Sequence, residues 1–113
     1  YIHSKNSSNY PKLEINDCVQ LLQDYEVGEL IIQSVDRDGM MNGFDIELLT
    51  ALSKNTEIPI IGLGGGGHLN HFTDLKDKSN VRGIASGSFF IFHDKNRGVL
   101  LSYPSQNELQ LFK

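Results

Sequence analysis

The sequence has a single cysteine and no apolar stretch long enough to cross a membrane. One thiol cannot form a disulfide within the chain, which suits the reducing cytoplasm. Cys18 falls within a helical pattern, where we expect a small buried side chain rather than a nucleophile or ligand. The apolar runs stop far short of about 18 residues, and no signal peptide is recognisable. These absences predict a cytoplasmic protein that does not bind membranes.

Runs of basic residues are also absent, and the net charge is −4. A nucleic-acid partner is therefore not expected. The histidines (His3, His68, His71 and His93) lack zinc spacing, and neither a Gly-x-Ser-x-Gly elbow nor a Cys/His pairing occurs. We predict no metal and no cofactor, and we expect His71 to be an exposed or packing residue on a helix.

The chain has no initiator methionine, and Tyr1-Ile2-His3 resembles the tail of a strand. Its 113 residues, 39% apolar and 21% charged, suit one soluble globular domain with a modest core. The beginning suggests that residues 1–113 are part of a larger protein.

Periodicity predicts alternating helices and strands after a polar loop at residues 4–12. The first helix follows Ile15, with a cap near Asn16 or Asp17 and an end at Gly28. Asp45 is expected to cap the second helix, and the third carries Leu69, Phe72 and Leu75. Strands are predicted at 30–35, 58–63 and 83–88, and a short terminal helix at 108–112.

This alternation indicates an α/β fold with parallel strands and right-handed crossovers. The repeat of roughly 25 to 30 residues is similar to that of an eightfold (β/α) barrel of about 250 residues. A flavodoxin-like or Rossmann sheet would show the same alternation. Three or four units cannot close a barrel, so in the barrel interpretation about half of it is absent.

The glycine run Gly64–Gly67 follows the strand that contains Pro59. Backbone without Cβ atoms at the start of a helix lets several N–H groups converge on an anion, so the run is a candidate phosphate cradle. The alternative is a plain flexible turn, since the Walker spacing is absent. The next strand ends at Ser86-Gly87-Ser88, and barrels often build a phosphate site from two successive loops. This pairing favours the cradle.

Asp36-Arg37-Asp38-Gly39 leaves the first clear strand. One aspartate could enter a pocket at the strand end while the other braces the loop with Arg37. The alternative is a solvated turn with a local ion pair. Two aspartates without a neighbouring His or Glu set fall short of a metal site.

Several segments closely resemble the cyclase subunit of imidazole glycerol phosphate synthase. They are residues 28–39 (GELIIQSVDRDG), 43–45 (GFD), the 58–61 strand (IPII) with its glycines, and His71-Phe72. The likeness runs from about residue 1 to residue 92. The ending at 98–105 is more similar to paralogues associated with surface-polysaccharide clusters.

The resemblance implies the C-terminal half of a (β/α)8 barrel of ribulose-phosphate-binding type, from the end of strand five to strand eight, over residues 1–113. It implies a lyase that takes ammonia from a glutaminase partner and closes an imidazole ring on a substrate with two phosphates, in histidine biosynthesis. By position, Asp38 and Gly39 would contact substrate and phosphate. Gly65, Gly66, Gly87 and Ser88 would complete the phosphate site, and Glu29 would match a charged residue of the ammonia gate.

The family's two principal acid/base aspartates would lie upstream of Tyr1, so residues 1–113 alone are expected to be inactive. Gln33 stands where a threonine is frequent, Leu63 where a serine is frequent and Gly66 where an alanine is frequent, which leaves the exact substrate open. Three alternatives are a phosphate-binding half-barrel that self-associates without catalysis, a paralogue of the family that acts in surface-polysaccharide biosynthesis, and a small flavodoxin-like binding domain.

Overall fold

A computed structural model describes residues 13–92, 96, 98, 99 and 101–113. The expected strand tail at 1–3, the loop at 4–12 and His93 lie outside the described residues. The elements are α1 (Ile15–Asp24), β1 (Leu30–Gln33), α2 (Ile46–Asn55), β2 (Ile60–Leu63), α3 (Leu69–Lys78), β3 (Gly83–Ala85), α4 (Ser88–Ile91) and α5 (Gln106–Leu109), followed by a 3-10 turn, Gln110–Phe112. The helix, strand, helix alternation is confirmed.

The three strands form one parallel sheet in the order β1-β2-β3. Leu30 lies opposite Ile60 across the first pair, and Ile61 lies opposite Gly83 across the second. Each strand is thus the spatial neighbour of the next one in the chain. A barrel is built from this sequential order, whereas the switch point of a doubly wound sheet requires a reversal that the described strands do not contain.

The core lies on one face of this sheet. Ile60 of β2 packs there with the helix residues Val19, Leu49, Leu52, Phe72 and Leu75, and with Phe44. Leu30, Ile32 and Ile84 flank it from the outer strands. Because side chains alternate along a strand, Ile31, Gln33, Ile61, Leu63 and Ala85 fall on the other face. No described helix covers that face at Ile31, whose side chain is 62% exposed.

The ends of α1 differ from the prediction. The helix begins at Ile15 with Glu14 at the N-cap, and no side chain caps it, so the expected cap at Asn16 or Asp17 is wrong. It ends at Asp24 rather than at Gly28. Glu26 adopts a left-handed conformation with φ of 54°, the geometry that usually recruits glycine after a helix. The turn is therefore made two residues before the glycine.

The predicted cap of α2 is confirmed. The Asp45 carboxylate accepts a hydrogen bond of 3.1 Å from the Leu48 main-chain N–H. This satisfies one of the donors that the first turn of a helix leaves unpaired. It also fixes the point at which the polar loop after β1 turns back toward the core.

The strands are shorter than predicted. β1 ends at Gln33 because the Ser34 carbonyl accepts from the N–H groups of Arg37 and Asp38, which starts a turn in place of the predicted continuation to Val35. β2 begins at Ile60 rather than Ile58. β3 ends at Ala85, and the predicted strand residue Ser88 begins α4 instead. Across the described ranges, no helix combines the length and apolar character needed to span a membrane.

Candidate functional site at the strand ends

The glycine run after β2 is a tight, buried turn. Gly64 and Gly65 have φ of +98° and +100°, a region that side chains other than glycine rarely adopt. A Cβ at Gly64 would lie 2.8 Å from the Ser34 carbonyl oxygen. The Ser34 N–H continues the sheet by donating to the Leu63 carbonyl at 3.0 Å. The turn after β2 is therefore packed directly against the end of β1.

The loop between β1 and α2 covers this turn. The Gly43 N–H donates to the Gly65 carbonyl at 2.8 Å, and a Cβ at Gly65 would overlap the Gly43 carbonyl oxygen. A Cβ at Gly66 would approach the Phe44 ring to 2.6 Å, and one at Gly67 would overlap Met41. Close approach of the Gly43 and Met41 backbones thus leaves room only for glycine at positions 65 and 67, and the Phe44 ring packs against Gly66. This packing differs from that of a plain flexible turn, which was the alternative expectation for the glycine run.

The exits of β2 and β3 are linked to each other. The Ser86 hydroxyl donates to the Gly66 carbonyl at 2.8 Å and accepts a longer hydrogen bond of 3.4 Å from the Phe89 N–H. One side chain therefore ties the glycine turn after β2 to the first turn of α4. No motif singles out Ser86, and its signal in the sequence was only its place beside Gly87.

Gly87 and Ser88 lie beside this link. Gly87 is exposed, and a Cβ added to it would meet nothing within 4 Å. Ser88 is half-buried as the first residue of α4. The main-chain N–H groups of Gly66, Gly87 and Ser88 have no hydrogen-bond partner among the described residues. These two strand exits thus hold main-chain donors that the fold itself does not use.

Asp38 lies at the end of the neighbouring strand β1. Its Oδ2 accepts a hydrogen bond of 2.8 Å from Gln33 Nε2, and its main-chain N–H donates to the Ser34 carbonyl. Gly39 follows with φ of +74°. Gln33, which lies on the same sheet face as Ile31, is a partner of Asp38 that was not predicted from the sequence.

Arg37 does not form the local ion pair considered from the sequence. Its Nη1 donates to the Gly43 carbonyl at 3.4 Å, so it contacts the loop that covers the glycine turn. Within the described ranges the single ion pair joins Lys78 and Asp74 on α3. Arg37 therefore braces the loop through the backbone rather than through a neighbouring aspartate.

Glu29 lies apart from the other predicted site residues. It directly precedes β1 and is exposed at the N-terminal edge of the sheet. Four strand residues separate it from the edge that carries Asp38, which is about 13 Å at the usual rise of a strand. The structure thus brings together residues from the 38–39, 65–66 and 87–88 positions at one edge and leaves Glu29 at the other.

His71 contacts the glycine turn, an interaction that was not predicted from the sequence. Its Nδ1 accepts a hydrogen bond of 3.2 Å from the Gly67 N–H, so the first turn of α3 holds the glycine turn. Burial lowers the pKa of His71, and the nearby His68 lowers it further, while Asp74 and a hydrogen bond with the Gly65 backbone oppose that shift. The neutral ring is the form that can accept from Gly67. The four-residue spacing between Gly67 and His71 at a helix start was the available signal.

The described part of the chain contains no group of three or more His, Cys, Asp or Glu side chains that could hold a metal ion. The groups that carry polar chemistry at this edge include main-chain amides, hydroxyls and the Asp38 carboxylate. Such a set can bind an anion and a polar ligand beside it.

Comparison with known proteins adds a family. The family described as "Histidine biosynthesis protein" matches residues 1–96. The chain is 37% identical over 110 residues to a Pseudomonas aeruginosa protein named as imidazole glycerol phosphate synthase subunit hisF2, covering 97% of this chain and 44% of that protein. It is 34% identical over 100 residues to the imidazole glycerol phosphate synthase subunit HisF of Aliivibrio salmonicida, covering 88% of this chain and 39% of that protein.

A protein of Leptospira borgpetersenii, also named as a HisF subunit, is 36% identical over 104 residues, covering 92% of this chain and 40% of that protein. The chain thus spans about two fifths of the length of these relatives. The family match spans residues 1–96 and so covers the positions of the strand-end site.

Proposed function

The chain belongs to the histidine biosynthesis protein family, whose fold is the (β/α)8 barrel, and from that premise we propose that it is the C-terminal half of a cyclase subunit of imidazole glycerol phosphate synthase type. In the longer protein the reaction would be an ammonia-dependent ring closure on a bisphosphorylated ribulosyl-aminoimidazole, as a step of histidine biosynthesis. A glutaminase subunit would supply the ammonia. Glu29, at the N-terminal edge of the sheet, would belong to the ammonia gate.

The hydrogen bond between Ser86 and Gly66 carries this proposal. It joins the exits of two neighbouring parallel strands, which is where barrels hold phosphate groups. Gly65, Gly66, Gly87 and Ser88 would bind one substrate phosphate through N–H groups and the Ser88 hydroxyl. Asp38 and Gly39, one strand away, would contact the substrate beside that phosphate.

Asp38 would assist in binding or proton transfer, because it presents a carboxylate at the same edge of the sheet. The resemblance implies that the family's two principal acid/base aspartates lie upstream of Tyr1. We therefore propose that residues 1–113 bind phosphate weakly and do not turn over substrate, with the acid and base supplied by the remainder of the longer protein.

Phosphate binding can be tested by NMR titration of ¹⁵N-labelled chain with inorganic phosphate. We expect amide shifts concentrated at residues 64–67 and 86–89. Gly87→Asp should abolish them, because a carboxylate would repel the anion, whereas the uncharged Gly87→Asn should weaken binding only slightly. Gly28→Asp is the matched control, since Gly28 also has open space around its Cβ position and lies near the opposite edge. Equal binding by Gly87→Asp and the parent chain would refute the phosphate site.

The activity itself can be tested on the longer protein with ammonium and the ribulosyl-aminoimidazole substrate. Turnover that Asp38→Asn reduces would support the proposal. Turnover by residues 1–113 alone would contradict the proposed division of the acid/base groups. Activity dependent on a glutaminase subunit when glutamine replaces ammonium would support the proposed partner.

The open face of the sheet favours a second candidate, a half-barrel that associates with another copy of itself. Ile31, Ile61, Leu63 and Ala85 share that face, and Ile31 is largely exposed. β1 and β3 also carry outer edges that no described strand pairs. Open edges and an apolar face are features that proteins usually cover. In this candidate the phosphate site would bind ligand without catalysis.

A further inference from the structure

The side chains of Gln33, the last residue of β1, and Asp38, in the loop that follows, are hydrogen-bonded to each other. Gln33 Nε2 donates to Asp38 Oδ2 at 2.8 Å, and both side chains are exposed. We propose that Gln33 is a positioning residue, which holds the Asp38 carboxylate in one orientation before a ligand arrives. The inference rests on the proposed function, in which Asp38 contacts the substrate beside its phosphate.

The fold of the loop does not depend on this bond. The N–H groups of Arg37 and Asp38 donate to the Ser34 carbonyl at 3.2 and 2.9 Å, and the Met40 N–H donates to the Arg37 carbonyl at 3.0 Å. The Gly43 N–H further anchors the loop to Gly65. Since the main chain closes the turn by itself, the bond between the two side chains fixes only the Asp38 carboxylate.

The bond also determines which oxygen of Asp38 is free. Oδ2 accepts from Gln33, and no described residue donates to Oδ1. Gln33 lies opposite Leu63 in the sheet and on its open face, so the pair stands at the rim of that face. For a ligand held at the neighbouring strand exits, Oδ1 would be the oxygen left to accept from a hydroxyl or a ring N–H.

Without Gln33, an exposed aspartate samples several side-chain rotamers and must be ordered when a ligand binds. Ordering one side chain on binding reduces affinity about threefold to tenfold. If Gln33 contacted the ligand directly, its removal would lower affinity whether or not Asp38 were present. A double-mutant comparison of Gln33 and Asp38 therefore distinguishes the two roles. If Gln33 acts by positioning Asp38, its effect on affinity disappears when Asp38 is absent.

The ligand-free chain provides the first test. Three-bond couplings from the Asp38 main-chain nitrogen and carbonyl carbon to its Cγ report the χ1 rotamer. We expect one dominant rotamer in the parent chain and averaged values in Gln33→Leu. Gln20→Leu, which changes an exposed glutamine on α1, is the matched control and should leave the couplings unchanged. Averaged couplings in the parent chain, or identical couplings in Gln33→Leu, would overturn the inference.

Binding provides the second test, with ribulose 5-phosphate and inorganic phosphate as separate probes. Gln33→Leu should weaken ribulose 5-phosphate binding threefold to tenfold in the parent chain and leave it unchanged in an Asp38→Ala background. Inorganic phosphate should bind with the same affinity to the parent chain and to Gln33→Leu. The same loss in the Asp38→Ala background would show direct contact and overturn positioning. Failure of both probes to bind would instead refute the proposed phosphate site, while the couplings still decide the role of Gln33.

Discussion

The main-chain N–H of Gly67 donates to Nδ1 of His71, four residues later on the first turn of α3, at 3.2 Å. The bond gives the Gly67 N–H a partner within a buried turn. It also joins that turn to α3, which packs on the core through Phe72 and Leu75. A protonated Nδ1 cannot accept it. The position of the glycine turn is therefore coupled to the charge state of one imidazole ring.

We expect His71 to make the chain less stable in acid. Burial lowers the pKa of His71 below its ordinary value of 6.5, so the unfolded chain binds the proton more readily than the folded chain does. The stabilisation by the neutral ring is complete above about pH 6.5 and is lost as the pH falls through the lower pKa of the folded state. Urea unfolding at pH 7.5 and 5.5 would measure the loss.

The His71→Gln variant separates this contribution from that of other groups. Its amide oxygen can still accept from Gly67, but it does not titrate, so the difference in unfolding free energy between the two pH values should shrink. His68→Gln, at the exposed N-cap position of α3, is the control and should keep most of the difference. An unchanged pH dependence in His71→Gln would show that His71 does not contribute.

Two glycines at the strand ends should differ in how much alanine destabilises the chain. Gly65→Ala should destabilise the chain by about 2 kcal/mol or more, because it combines a φ of +100° with overlap against the Gly43 carbonyl. Gly87→Ala should change stability by less than about 0.5 kcal/mol, since its φ is −91° and the space around it is open. The midpoints of urea unfolding of the two variants measure this difference. Equal midpoints for Gly65→Ala and Gly87→Ala would contradict the packing described for the turn.

Replacing Glu26 with glycine should stabilise the chain. Glu26 has φ of 54° directly after α1, where glycine avoids the steric cost of a left-handed residue. We expect a gain of up to about 1 kcal/mol in unfolding free energy. Glu47→Gly within α2 should cost a similar amount, because glycine is a poor helix former. A loss of stability in Glu26→Gly would show that its side chain matters more than its backbone.

The open face of the sheet predicts concentration-dependent association. Ile31→Lys should shift the chain toward monomer in sedimentation equilibrium, because the charge would be buried between copies. Leu21→Lys on α1 is the matched control, since Leu21 is similarly exposed at 55% but lies on a helix. A parent chain that stays monomeric and well folded at high concentration would contradict self-association.

The sequence predicted the elements and their order because hydrophobic periodicity reports which residues face a core. It also located the cap at Asp45, where a short polar side chain precedes an apolar helical pattern. The predicted ends of helices and strands were wrong where a group that the hydrophobic pattern does not report ends the element. The Ser34 carbonyl ends β1 early, and the left-handed Glu26 replaces the expected turn at Gly28.

The site was predictable in part for the same reason. The glycine run marks its own position, and the resemblance directed attention to Asp38, Gly87 and Ser88. The contributions of Gln33 and Ser86 depend on which groups meet at the strand ends. Those contacts are set by register and by the path of the 36–44 loop, and no local pattern in the sequence specifies either.

The cover that residues 41–44 place over Gly65, Gly66 and Gly67 has a consequence for any ligand. Because the Gly43 and Met41 backbones contact Gly65 and Gly67, and the Phe44 ring packs on Gly66, the loop cannot swing away as a hinged flap without unpacking the turn. An anion bound at this edge would contact a glycine turn whose backbone was already fixed by the 41–44 loop. Recognition there would follow lock-and-key behaviour, with the ordering of the main chain completed during folding.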